Sequence, residues 1–299
     1  MTFVRIISLG ALLTLASAAL IVIWAATWQR TASEQRLIES NALAQQRSVA
    51  IILSENLTQV VDRGRLLALS LAMGKDIFGD PVVRDLGKMP HLLIAGATGT
   101  GKSEFLRLLI SGWLNRLSPV ELSLIDFKGG ATMAQFANRT QVVALATDLE
   151  TTSALTIANA LEQQLIERQL ALGEVGAQNI EAFWEHGRTL SRRFVVIDEL
   201  GELLRQHPRL SQVLEQIAAR GRSLGMHLVV SNQSLSGVSR ALLVNLRARI
   251  AIGEMDPVDL SQLGFRNRGN LAPISPNWRS AKFRRGSGLE TEFTFPIGF

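Results

Sequence analysis

The sequence predicts an α/β fold with a mainly parallel sheet built around a phosphate-binding loop, and three observations carry that prediction. Residues 96–103 read Gly-Ala-Thr-Gly-Thr-Gly-Lys-Ser and fit G-x-x-x-x-G-K-[ST]. An apolar run of strand length, residues 92–95, precedes the loop, and Phe105, Leu106, Leu109, Ile110, Trp113 and Leu114 follow it at helical spacing over residues 104–117. Further along, short apolar runs alternate with amphipathic stretches, the pattern of parallel βαβ units.

A chain of 299 residues accommodates one large α/β domain plus an appendage, and 47% hydrophobic content with 19% charged residues excludes a disordered chain. The formal charge of +5 and a pI near 10.3 are compatible with an anionic partner such as DNA or lipid headgroups, and equally with a plain basic surface. There is no cysteine, which excludes disulfides and thiolate metal sites. His91, His186, His207 and His227 lack metal-ligand spacing, so no zinc site is expected.

Taken in order, residues 6–28 carry no charge and are bounded by Arg5 and Arg30. As a helix they would measure roughly 35 Å, enough to span a bilayer. Trp24 and Trp28 suit an interfacial belt, and Arg30, Arg36 and Arg47 after the span outnumber Arg5 before it, which predicts a single-pass anchor in the cell inner membrane with the rest of the chain in the cytoplasm. A cleaved signal peptide, with the Ala-rich stretch at residues 15–18 as its site, is the competing reading. The domain plan is an anchor over residues 1–29, a polar helical stalk over 30–63 and a nucleotide-binding domain over 64–299.

Residues 66–73 and then 74–83 read as two short strands around a Gly79-Asp80 turn. Strands are then expected at 92–95, 121–125, 142–146, about 192–197, 226–230 and 248–252. Helices are expected at 104–117, 152–172 and 208–224, and residues 270–299 read as a β-rich tail.

The glycines of the loop allow its N–H groups to face a phosphate, and the helix that follows adds the positive end of its dipole. Gly96, Ala97, Thr98, Gly99, Thr100, Gly101, Lys102 and Ser103 are therefore the expected ATP cradle, with Lys102 on the β/γ-phosphates and the Ser103 hydroxyl on Mg²⁺. The strand ending in Asp198-Glu199 brings two carboxylates to the same edge of a parallel sheet. Asp198 is expected to hold Mg²⁺ through water and Glu199 to polarise the attacking water. Gln233, at the end of the next strand, is positioned to sense the γ-phosphate. The catalytic set is thus Lys102, Glu199 and Gln233.

With these pieces placed, the sequence resembles the motor domain of the FtsK/SpoIIIE family from about Leu66 onward. Gly74-Lys75-Asp76-Ile77, residues 85–91 with the phosphate loop, Leu124-Ile125-Asp126-Phe127-Lys128-Gly129-Gly130, Val195-Val196-Ile197-Asp198-Glu199 and residues 220–233 carry the resemblance. It implies a RecA-like core in a hexameric ring, ATP at the subunit interfaces and a polymer drawn through the centre. An arginine reaching into a neighbour's ATP would then stabilise transition-state charge, with Arg220, Arg222, Arg247 and Arg249 as candidates.

The sequence also departs from family translocases. Ser234 stands where they often carry arginine, and Asp126 to Thr132, with the ending around Phe283-Arg284-Arg285-Gly286, look more like type VII secretion ATPases. No winged-helix domain is expected after Phe299, hence no sequence-directed loading. The leading expectation is a membrane-anchored double-stranded DNA translocase of plasmid or conjugative transfer; a protein-secretion ATPase acting on a secreted substrate is the alternative. An idle nucleotide-binding scaffold is a third reading, opposed by the intact Asp198-Glu199 pair.

Overall fold

The computed structural model describes residues 70–87, 89, 91–115, 120–127, 132–147, 151–266 and 277–298. The expected anchor at 6–28 and stalk at 30–63 lie outside them. Among the described residues no helix is long and apolar enough to cross a membrane.

Ten strands form one sheet in the order β2-β1-β10-β9-β8-β3-β7-β6-β4-β5. They are β1 (Ser70–Lys75), β2 (Pro81–Asp85), β3 (Leu92–Ala95), β4 (Val120–Asp126), β5 (Val142–Thr147), β6 (Arg192–Asp198), β7 (Met226–Asn232), β8 (Ala248–Ile252), β9 (Trp278–Arg285) and β10 (Thr291–Pro296). The six from β8 to β5 pair in parallel, and β9, β10, β1 and β2 extend the β8 edge antiparallel. The parallel strands need no polar alternation, because both faces are covered; every residue of β3 and β7 is buried.

The helices are α1 (Lys102–Leu114), α2 (Thr151–Glu174), α3 (Ile180–Glu185), α4 (Leu200–Gln206), α5 (Pro208–Arg220), α6 (Arg240–Asn245) and α7 (Pro257–Gln262). Strand side chains alternate between two cores, as a period of two requires. Leu92, Ile94, Leu124, Phe194 and Val196 meet α1 through Phe105, Leu109 and Trp113, whereas Leu93, Ile125, Val195, Ile197 and Val230 meet α2 and α5 through Leu161, Leu165, Leu214 and Ile217. Trp113 stacks on Phe194 at 4.3 Å between ring centroids, so α1 is fixed over β6 by an aromatic pair as well as by area.

Several boundaries differ from the sequence expectation. α1 begins at Lys102 rather than 104, because Gly101, at φ 103°, ends the loop and its carbonyl already accepts the Phe105 N–H at 2.9 Å. α5 ends at Arg220 rather than 224, because the chain reverses there. Gly221 O accepts the Met226 N–H at 2.8 Å, and a Cβ on Gly221 would lie 2.5 Å from Ile217 O and 2.6 Å from Met226 O. The first hairpin is β1–β2 around the expected Gly79-Asp80 turn, with its second strand running on to Asp85; Asp76 Oδ1 accepts from the N–H groups of Phe78 and Asp80, both at 2.9 Å, and closes the turn. α3, α4, α6 and α7 have six or seven residues each, too short for a period to show.

Candidate active site

The strand order builds the site. β3 pairs with β7 and β7 with β6, so β7 lies between the strand that feeds the phosphate loop and the strand that ends in Asp198. All three carboxyl ends point to one edge, where ligands bind in open α/β sheets.

The loop leaves β3 at Gly96, whose N–H donates to Asn232 O at 3.3 Å. Glycine is required there, since a Cβ would meet Ile252 O at 2.5 Å and Thr100 Oγ1 at 2.7 Å. Thr100 Oγ1 donates to Ala97 O at 2.8 Å and rounds the loop, leaving Ala97, Thr98 and Gly99 exposed. Lys102 is 3% exposed and its Nζ donates to Gly96 O at 2.6 Å and Ala97 O at 2.9 Å, so the ammonium is held inside the curve of the loop. The backbone fold and this lysine together form a curve of a shape and charge that would suit an anion.

Asp198 is fully buried, and its carboxylate gathers hydroxyls from three elements. Oδ2 accepts from Ser103 Oγ of α1 at 2.8 Å and from Thr132 Oγ1 at 3.1 Å, and Oδ1 accepts from Ser231 Oγ of β7. Among the described residues no three His, Asp or Glu side chains gather as metal ligands. One carboxylate beside hydroxyl oxygens is the all-oxygen set that suits Mg²⁺ shared with a nucleotide's phosphates rather than enclosed by protein. Asp126, in register with Asp198 on β4, plays another part: its Oδ2 accepts the N–H groups of Thr132 at 2.9 Å and Met133 at 3.3 Å and so places the Thr132 hydroxyl.

Glu199 follows Asp198 in the left-handed region, at φ 64° and ψ 64°, the one described residue other than glycine with positive φ. Such a conformation costs about 1–3 kcal/mol and persists where its surroundings enforce it. Here the Glu199 N–H donates to Ser231 Oγ at 3.2 Å, and its carbonyl accepts the Leu203 N–H at 3.4 Å as α4 begins. The Glu199 carboxylate accepts from Gln233 Nε2 at 3.2 Å. The predicted base and the predicted sensor are therefore in direct contact.

The arginine candidates sit elsewhere. Arg220 and Arg222 are exposed just ahead of β7, at the amino-terminal edge of the parallel strands, about 20 Å along the sheet from the loop at ~3.3 Å per residue. Arg220 bonds Gln216 at 2.9 Å and Gln169 at 3.3 Å. Arg247 is exposed near the same edge, at the start of β8. Arg249 is half-buried and donates to the carbonyls of Leu243, Leu246 and Gln262, each at 3.0 Å, so it fastens α6 to α7. Burial lowers its pKa, with the Arg284 charge adding to the effect. Sequence reasoning missed Ser231, Asn232 and Arg279. Asn232 Oδ1 accepts the Gly201 N–H at 3.1 Å, and Arg279 lies with its stem over Gly101, where an added Cβ would be 3.1 Å from Arg279 Cγ. The first two were legible as polar residues ending an apolar strand; the third comes from a distant antiparallel strand and left no local signal.

The model of the FtsK/SpoIIIE family matches residues 61–193. The ESX-4 secretion system protein EccC4 of Mycobacterium tuberculosis is 38% identical over 178 residues, 56% of this chain and 14% of the relative. The DNA translocase FtsK of Caldanaerobacter subterraneus subsp. tengcongensis is 30% identical over 196 residues, 64% of this chain and 28% of the relative. The chain thus spans less than a third of the length of these relatives. Among solved structures, the cytoplasmic domain of the Thermomonospora curvata type VII secretion ATPase EccC superposes with a TM-score of 0.69 at 28% identity, covering 79% of this chain and 30% of that one. Both relatives named in the sequence resemblance, DNA translocases and type VII secretion ATPases, are present, and the α/β architecture with its mostly parallel sheet is shared with a solved ATPase. Over residues 61–193 the chain matches the FtsK/SpoIIIE family, and it carries a P-loop ATPase domain.

Proposed function

We propose that the chain is a membrane-tethered, ATP-driven translocase of double-stranded DNA that works as a hexameric ring, with residues 6–28 as the tether and the motor in the cytoplasm. The observation that carries the enzymatic half is the convergence of Lys102, Ser103, Asp198 and Glu199 at one sheet edge. The polymer is argued from the FtsK relative and from the formal charge of +5, which favours a polyanion.

In this reading the loop N–H groups and Lys102 bind the phosphates. Ser103 and Asp198 would hold Mg²⁺, which when bound supplies charge neutralisation on the phosphates. Glu199 orients and polarises the attacking water. Gln233, bonded to Glu199 and next to the loop, links the state of the γ-phosphate to the base and to β7. Transition-state charge is left to an arginine from a neighbouring subunit, for which exposed Arg220, Arg222 and Arg247 are available.

A protein-secretion ATPase is the second reading, favoured by the 38% identity to EccC4. The two differ in salt dependence. A DNA motor should bind duplex without regard to sequence and lose roughly tenfold or more in affinity over a fourfold salt increase. A salt titration of duplex binding by the assembled ring checks this, and a ring that binds peptide tails but no duplex at low salt would replace the first reading with the second. A reporter fused after Phe299 should behave as cytoplasmic; an external reporter would overturn the tether's orientation.

A further inference from the structure

Ser231 is fully buried near the carboxyl end of β7, between the loop strand and the Asp198 strand. A serine hydroxyl has one proton to donate and two lone pairs to accept with. Both capacities are spent on the acidic pair at the end of β6. The Ser231 hydroxyl proton goes to Asp198 Oδ1, and Ser231 Oγ accepts the Glu199 N–H at 3.2 Å. One hydroxyl therefore touches the side chain of one acidic residue and the backbone of the next.

We propose that Ser231 is a positioning residue that couples the metal-facing carboxylate of Asp198 to the water-activating Glu199; the proposal rests on the ATPase roles given to those two residues. By occupying Oδ1, the hydroxyl turns the carboxylate so that Oδ2 faces Ser103 and Thr132. By accepting the Glu199 N–H, it helps hold that residue at φ 64°, a backbone uncommon for any residue but glycine. Gln233, two residues on, holds the Glu199 carboxylate from the other side, so the end of β7 clamps the base at both its backbone and its side chain. A shift of β7 would move the metal ligand and the base together. Alanine at this position would keep the strand and lose both bonds.

The test compares Ser231→Ala and Ser231→Cys with the parent full-length chain. Groups that orient a ligand from behind typically cost 10–100-fold when removed, and kcat should fall by about that factor in both variants. KM should stay within about threefold, since the loop and Lys102 are untouched. Binding of a fluorescent ATP analogue supplies a readout apart from turnover: affinity in EDTA should match the parent, while the gain on adding Mg²⁺ should shrink. Cysteine is the control for packing, because it refills the volume but makes only weak hydrogen bonds. Parental kcat with a parental Mg²⁺ gain in Ser231→Ala, or full recovery in Ser231→Cys, would overturn the proposal. If the alanine variant fails to fold, the cysteine variant decides by the same two readouts. Glu199→Gln measured alongside separates the two levels: if it is inactive while Ser231→Ala is normal, only the role of Ser231 falls, and if it turns over normally, the underlying ATPase assignment falls.

Discussion

At Glu199 a strained backbone and a predicted catalytic role coincide. Its left-handed conformation aims the side chain away from the line of β6 and toward Gln233, while its carbonyl starts α4. Replacing Glu199 with Gln keeps shape and hydrogen bonding and removes the charge that polarises water. Turnover should fall by about 10²–10⁴-fold with ATP affinity nearly unchanged. Lys102→Ala should do the reverse first, losing ATP binding, because the loop carbonyls at Gly96 and Ala97 would no longer hold a cation inside the cradle. Titration with a fluorescent ATP analogue and phosphate release measured on the same two variants separate these outcomes. Parental turnover in Glu199→Gln would move the base to another residue.

Among the elements, the parallel strands were the most legible in the sequence. Burial on both faces demands continuous apolar runs, and the run at 248–252 has the bounds of β8. The loop and the end of β6 were legible for a related reason: chemistry there needs glycine, lysine and acidic residues at fixed spacing. What stayed hidden depends on tertiary context. The end of α5 is set by a close approach at Gly221, and the contact between Glu199 and Ser231 depends on which strand lies next to which. His91 shows the same dependence. Its Nδ1 accepts the Leu228 N–H at 2.9 Å, so Nε2 carries the proton and donates to Ala218 O at 3.0 Å, tying β7 to α5. Burial lowers its pKa from 6.5 to about 4, opposed by the Ala218 bond and reinforced by the Arg222 charge. The unfolded chain therefore takes up a proton below pH 6.5 that the folded chain refuses until about pH 4. Stability from this residue is intact above that window and is lost as pH falls through it, by about 3 kcal/mol in total. Urea midpoints at pH 7 and pH 4.5 should differ less in His91→Gln than in the parent. An equal acid loss in both proteins would assign the effect to other groups.

For the molecule as a whole, the antiparallel strands β9, β10, β1 and β2 continue a parallel ATPase sheet well past β8. They bring Arg279, Phe295 and Ile297 against Gly101 of the loop, so the start and the end of the described chain meet beside the nucleotide cradle. That arrangement sets the loop, Asp198 and the end of β7 on neighbouring strands of one sheet. The central claim is that hydrolysis at this site is coupled to a DNA duplex. It is tested most directly by the steady-state ATPase rate of the purified full-length protein, with and without linear double-stranded DNA of unrelated sequences at low salt. The account predicts stimulation by every duplex, lost in Glu199→Gln and suppressed as salt rises. A rate indifferent to duplex but raised by a secreted protein's tail would contradict it.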